Sequence, residues 1–226
     1  MLFEAGRTID SVCFPLTAVI ALVTPLRGGA TVEVATVGNE GVVGVPLVLG
    51  GSLAVRAICE VAGWVLRMNS AAFLEASREV PAVRNVVNDY VQALFGQVAQ
   101  AGGCNRMHSN EERLSRWLLM SHDRVGVDQF GITHEFLAEM LGCRRATVSL
   151  SAGVLQSAGL IRYHRGYVTI VDRRRLEVAS CECYRVIKAE LDGVLNKADL
   201  RGYGRGAAAR FAAHRDPVPL LGQQPA

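Results

Sequence analysis

The sequence lacks an apolar stretch long enough to cross a membrane. The longest candidate, residues 41–55, falls short of the ~18 residues a span needs and is broken by Pro46, Gly50, Gly51 and Ser52. Its first residues, Met1-Leu2-Phe3-Glu4-Ala5-Gly6-Arg7, hold no basic stretch followed by an apolar core, so a secretory signal is not evident and a cytoplasmic protein is expected. Closely paired cysteines are also lacking. Cys13, Cys59, Cys104, Cys143, Cys181 and Cys183 are scattered, and only Cys181 and Cys183 stand near each other. Zinc and iron–sulfur frameworks usually show two close pairs, so the expectation is reduced structural thiols, no metal and no cofactor. A redox role for Cys181 and Cys183 is the minority alternative. No His/Asp/Ser triad, metal-ligand pair or Gly-rich phosphate loop stands out, and His108, His122, His134, His164 and His214 are dispersed. An enzyme is therefore not expected.

A large charge imbalance is missing too. The 226 residues carry 24 Lys and Arg against 21 Asp and Glu, a net +3, which is too little to argue nucleic-acid binding. Distribution says more than the total. Charges are sparse over residues 1–60, and arginines gather at Arg144-Arg145, Arg162, Arg165 and Arg173-Arg174-Arg175.

Residues 12–68 read as short β-strands. Val32 and Val34 alternate with Thr31, Glu33 and Ala35, the period-2 pattern of a half-buried strand. Residues 19–23, 56–61 and 64–68 are further candidates, separated by glycine-containing turns. Strands at this spacing predict a small barrel or β-roll. The period then changes to 3.6. Ser70 is placed as the N-cap of a short helix. Pro81 suits the first turn of a longer one over residues 82–101, ~30 Å long at 1.5 Å per residue, with Gly102-Gly103 ending it. Val83, Val86, Val87, Tyr90, Val91, Leu94, Phe95 and Val98 form a broad apolar stripe. A stripe so wide needs the β-roll, a second copy of the chain, or both as its partner.

Ser109 followed by Glu112 is a capping box that opens the next helix, with Leu114, Trp117, Leu118 and Ser121 on one face. The most informative stretch is residues 131–161. Thr133 can cap a short helix with Leu137 and Leu141 facing inward, Ala138 is small where helices must approach, and Gly142 tolerates a tight turn. A second helix from about Arg144 buries Val148, Ala152 and Leu155. This is helix-turn-helix spacing. Residues 160–171 then read as a β-hairpin with His164-Arg165-Gly166 at its tip, the wing of a winged helix. A last helix opens at residues 172–177 and runs to about Leu195, with Leu176, Ala179, Cys183, Val186, Ile187 and Leu191 on the side that packs on the winged domain. The Gly/Ala/Pro-rich tail, 201–226, is expected to be disordered.

The run Leu137-Ala138-Glu139-Met140-Leu141-Gly142-Cys143-Arg144-Arg145-Ala146-Thr147-Val148, then Ala158-Gly159-Leu160-Ile161 and the wing, resembles the Crp/Fnr transcription regulators, relatives of the cAMP receptor protein. The order of β-roll, long helix and winged helix agrees over residues 3–195, although the sequence begins without the helix that usually precedes the roll. The resemblance implies an α+β chain: a cyclic-nucleotide-binding-like β-roll sensor (1–80), a dimerisation helix and hinge (81–108), a Crp-type winged helix-turn-helix (109–175), a C-terminal helix (176–200) and the tail. It implies a homodimer paired through Val83, Val87, Tyr90, Val91, Leu94 and Val98. It also implies a double-stranded DNA operator read in the major groove, with RNA polymerase as a further candidate partner.

Residue by residue, Arg145 matches an arginine that reads a guanine edge, a pairing its fork geometry suits. Ala146, Ser149 and Leu150 share the base-reading face. Thr133, His134, Arg144, Thr147, His164 and Arg165 fall where phosphates are contacted. Ala146 stands where a glutamate is common and Leu150 where a second arginine is, so the operator should differ from the familiar one. The cyclic-nucleotide signature is also departed from. Gly44-Val45-Pro46-Leu47 has no glutamate after the glycine, and Ala57 rather than Ser or Thr follows Arg56. The effector is therefore expected not to be cAMP. The alternative reading is a nucleotide or small-ligand sensor whose C-terminal half mediates protein contacts.

Overall fold

The structure, a computed structural model, describes residues 1–52, 54–200 and 218–220. Strands β1 (Ser11–Pro15), β2 (Val19–Pro25), β3 (Thr31–Val37), β4 (Arg56–Val61) and β5 (Gly63–Asn69) build the N-terminal part. They form two antiparallel sheets, ordered β3-β2-β4 and β1-β5-β9, where β9 is Val218–Leu220. Central β2 is buried along residues 19–23, which is why it reads as a continuous apolar run rather than an alternation. Strand β9 pairs with residues 63–65 of β5. Those three tail residues are thus ordered against the roll, contrary to expectation, and the rest of the 201–226 segment lies outside the described residues.

The alternation in β3 has the opposite sense to the one expected. Glu33 and Ala35 are buried, while Val32 and Val34 are only half-buried. Glu33 can face inward because both its oxygens are satisfied. Trp117 Nε1 donates to Oε2 at 2.9 Å and the Thr36 hydroxyl donates to Oε1 at 2.9 Å.

Helix α1 (Ser70–Glu79) is capped by Asn69, whose side chain accepts from the Ala71 N–H at 2.8 Å. Ser70, expected as the cap, is the first helical residue, and its hydroxyl donates to the Ile9 carbonyl. Helix α2 (Pro81–Met107) has 27 residues and so spans ~40 Å. It runs through Gly102-Gly103 instead of stopping there. Two glycines cost a helix interior roughly 1 kcal/mol each, and the burial of Ala101 and Cys104 on the opposite face offsets it. Val87 and Tyr90, expected among the dimer residues, are buried within the protomer. Val83, Val91 and Leu94 are half-buried, whereas Val98 and Phe95 are exposed.

Helix α3 (Asn110–Val125) opens on the anticipated capping box, with Ser109 and Glu112 bonded reciprocally, and closes on Gly126 in the left-handed region. Its face of Leu114, Trp117, Leu118 and Ser121 is buried. Helices α4 (His134–Leu141) and α5 (Arg145–Ser157) follow, flanked by a three-stranded sheet of β6 (Gln129–Gly131), β7 (Ile161–His164) and β8 (Tyr167–Ile170) in the order β6-β8-β7. The β7–β8 hairpin is legible in the sequence, whereas β6, three residues long, is not. The single C-terminal helix expected is in fact two, α6 (Arg173–Ala179) and α7 (Cys183–Leu200), divided at extended Ser180. Helix α6 packs on α3, but α7 lies mainly along α2. None of the described helices is long and apolar enough to cross a membrane.

Candidate nucleic-acid interface

Helix α4 starts where Thr133 Oγ1 accepts the Phe136 N–H at 3.1 Å. It ends at Gly142, whose φ of 60° is the left-handed turn expected there. That glycine is also close to the β-roll: a Cβ there would lie 3.1 Å from Val32 Cγ2. The buried Arg113 guanidinium donates to the Leu141 carbonyl, fixing the end of α4 to α3 and placing positive charge at a helix C-terminus.

Arg144 is extended and precedes α5 without a side-chain cap. The first N–H groups of α5 are therefore left without a side-chain acceptor, a geometry that suits an anion. Val148, Ser151, Ala152 and Leu155 bury one face of the helix, and the Ser151 hydroxyl donates to Glu111 of α3 at 2.7 Å. The opposite face carries Arg144, Arg145, Ala146, Ser149 and Leu150, all exposed; Thr147 is half-buried. Leu150 is 73% exposed. Arg145 has one ion-pair partner, Glu135, at 3.6 Å, and both side chains are about 70% exposed. All four residues expected to read bases thus share one solvent-facing surface.

The wing stands beside it. Arg165 and Gly166 take φ of 47° and 78°, which fits the tight two-residue hairpin turns that need positive φ. His164 and Arg165 are exposed at that tip. The wing is tied to the helices by Tyr163, whose hydroxyl donates to the Ile132 carbonyl and whose N–H donates to Gln156 at 2.7 Å.

His134 differs from its neighbours. Its ring lies on that of Tyr163, with centroids 4.1 Å apart, and Nδ1 is 3.0 Å from Ser149 Oγ. Nε2 is buried without a partner. Burial, and secondarily the Arg145 charge, lower its pKa, favouring the neutral ring. The ring is therefore turned into the junction of α4, α5 and wing, and only the helix N-terminus remains to meet a phosphate at this position.

Sequence reasoning misses the groups that join α3 to the β-roll. Arg124 donates from Nη2 to Glu40 at 2.7 Å and to the Thr36 carbonyl, and both charged side chains are nearly sealed from solvent. The Ser121 hydroxyl donates to buried Glu60 at 2.6 Å. Burial, then the nearby Glu33 charge, push Glu60 up to about 8. Arg56 lies in β4 and pairs with Glu4 at 2.5 Å. The cysteines, scattered along the chain, are not all dispersed in space: Cys104, Cys181 and Cys183 meet in one buried cluster.

Residues 112–179 match the family of Crp-like helix-turn-helix domains. The chain thus carries a Crp-like helix-turn-helix domain. Solved structures with the same architecture include a CRP-family transcriptional regulator from Thermus thermophilus. It is 18% identical, with 79% of this chain and 92% of that one covered and a TM-score of 0.66. FixK2 from Bradyrhizobium japonicum is 16% identical over 76% and 88% of the two chains, with a TM-score of 0.66. A crp/fnr-family regulator from Eubacterium rectale is 18% identical over 75% and 80%, at 0.57. No curated protein matches the sequence significantly.

Proposed function

We propose that this chain is a Crp/Fnr-type transcription regulator that acts as a homodimer and recognises a specific operator, each protomer laying the N-terminal half of α5 in the major groove and its wing on the adjacent backbone. The supporting observation is the exposed face of Arg145, Ala146, Ser149 and Leu150 beside the wing tip. A leucine 73% exposed on a well-packed helix has no role within the protomer, and an apolar side chain there can meet a thymine methyl. Arg145 reads a guanine, and Thr133, Arg144, Thr147, His164 and Arg165 hold phosphates. The dimer forms along the outer face of α2, where Phe95 is 74% exposed next to exposed Val98 and half-buried Val91 and Leu94. Cyclic AMP is not the effector. The arginine nearest the expected phosphate position, Arg56, is neutralised by Glu4, and no carboxylate follows Gly44 to hold a ribose.

Selection of bound duplexes from a random library tests this reading. A two-fold symmetric site with half-sites about one helical turn apart is expected. Recovery of no preferred sequence would overturn it and favour a sensor whose C-terminal half contacts protein.

A further inference from the structure

Helix α2 ends in a group of side chains that DNA recognition does not use. Cys104 lies in its last turn, and His108, four residues on, is the C-terminal cap. Cys181 and Cys183 flank Glu182 at the break between α6 and α7. The sulfur atoms of the three cysteines and a ring nitrogen of His108 all lie within 4.8 Å of one another, the one such group of potential metal ligands among the described residues. Cys104 Sγ is 3.5 Å from Cys181 Sγ, and Cys183 Sγ is 3.5 Å from His108 Nδ1. In a tetrahedral site with Zn–S of about 2.3 Å and Zn–N of about 2.0–2.1 Å, neighbouring ligand atoms stand about 3.5–3.8 Å apart. A disulfide would need about 2.05 Å.

We propose that Cys104, His108, Cys181 and Cys183 form a Cys3His site for a tetrahedral zinc ion, which clasps the end of α2 to the α6–α7 junction.

The surroundings fit such a site better than they fit three structural thiols. The cysteines are almost completely buried, at 0, 3 and 0% exposure, yet they form a cluster separate from the main apolar core. His108 turns Nδ1 toward the thiols and Nε2 toward Glu182 Oε2, 3.2 Å away. A carboxylate on the far nitrogen is the usual outer partner of a metal-bound histidine, fixing its tautomer and orientation. The Gln100 amide donates to Cys183 Sγ at 3.0 Å, an N–H···S contact that stabilises a thiolate. A zinc ion with three thiolates and a neutral imidazole carries a net charge of −1. Buried Arg113 and Arg116 interact electrostatically with Cys104 and offset it. The four ligands come from two chain segments more than 70 residues apart, so the ion would close a long loop around the winged helix.

The test uses the reduced, full-length chain. Zinc content after purification and chelator-competition titration with Zn2+ should give one tightly held ion per chain. Titration of metal-free protein with Co2+ should give the intense visible bands of a tetrahedral ion and a thiolate charge-transfer band whose strength corresponds to three sulfurs. Cys181→Ser with Cys183→Ser should weaken zinc binding by at least a hundredfold, whereas Cys143→Ser should leave it unchanged. His108→Cys should retain binding and strengthen the charge-transfer band. This last variant and the wild-type Co2+ spectrum keep the claim testable if the double variant does not fold. Either a folded, reduced chain that takes up no zinc at equimolar metal, or an octahedral Co2+ spectrum without thiolate charge transfer, would overturn the site. So would zinc affinity unchanged in the folded double variant. None of these readouts depends on DNA, so failure of the operator selection leaves the zinc result standing, and the reverse also holds.

Discussion

Arg145→Ala separates base reading from every other role this arginine could have. Within the protomer Arg145 makes one ion pair, to Glu135 at 3.6 Å, with both side chains about 70% exposed. An exposed pair of that kind contributes ~0.2–1 kcal/mol, so the variant should melt within about 4 °C of wild type. On DNA the expected loss is larger. A bidentate arginine–guanine contact discriminates by roughly 1–3 kcal/mol, and a symmetric dimer makes it twice, giving roughly 2–6 kcal/mol in total. At about 1.4 kcal/mol per tenfold, operator affinity falls on the order of 30-fold to ten-thousand-fold, while scrambled duplex loses only the electrostatic share. The assay is fluorescence anisotropy with operator and scrambled duplexes at several salt concentrations. Glu135→Gln is the companion variant: it frees Arg145 and should leave operator binding equal or slightly tighter. If Arg145→Ala lowered both affinities by the same factor, so that their ratio stayed constant, the residue would be a phosphate contact and the assignment would be wrong.

Three further outcomes are expected. Arg165→Asn removes the wing-tip charge but keeps a residue suited to the positive φ of 47°; it should weaken all duplexes alike and lower the salt slope by about 0.9 for each phosphate no longer neutralised, as measured by the same anisotropy titrations. Gly142→Ala puts a Cβ into left-handed backbone at about 1–2 kcal/mol and within 3.1 Å of Val32 Cγ2; urea unfolding should show the loss, and adding Val32→Ala should recover part of it. Glu60 is held at about 8 by burial and the Glu33 charge, well above its ordinary value of 4.5. Its folded-state pKa therefore exceeds the unfolded one, so the stability it contributes is complete below about pH 4.5 and is lost as pH rises toward 8. Glu60→Gln, which mimics the protonated form, should flatten the pH dependence of unfolding free energy across that window, and an unchanged slope would remove Glu60 as its source.

What can be read from the sequence is what the chain encodes locally. The Ser109–Glu112 capping box, the Thr133 cap, the left-handed Gly142 and the Arg165-Gly166 hairpin tip each depend on a few adjacent residues, and each appears where the residue types put it. The exposed face of α5 follows from helical spacing once Val148, Ala152 and Leu155 are assigned inward. Expectation and structure part where a distant partner decides the outcome. Asn69 rather than Ser70 caps α1 because the Ser70 hydroxyl is drawn to the Ile9 carbonyl in the strand approach. Gly102-Gly103 reads as a stop until α7 is seen to lie along α2. The inward face of β3 is misread because an acidic residue counts as polar in an alternation pattern, and its burial is made tolerable by Thr36 together with Trp117, 84 positions away.

That last case points to how the two halves are joined. The apolar residues of α3 belong to a core continuous with that of the β-roll, and polar contacts are added across the same junction: Trp117 to Glu33, Ser121 to Glu60, Arg124 to Glu40. Apolar packing tolerates small shifts, whereas a buried ion pair such as Arg124–Glu40 does not. Separating its partners leaves an unpaired charge away from water, at a cost of several kcal/mol. The junction therefore has a preferred seating, and α3 cannot slide on the roll without breaking hydrogen bonds at three acidic side chains. Because α3 also holds α4 through Arg113 and α5 through Glu111, the seating of α4 and α5 is coupled through α3 to the β-roll.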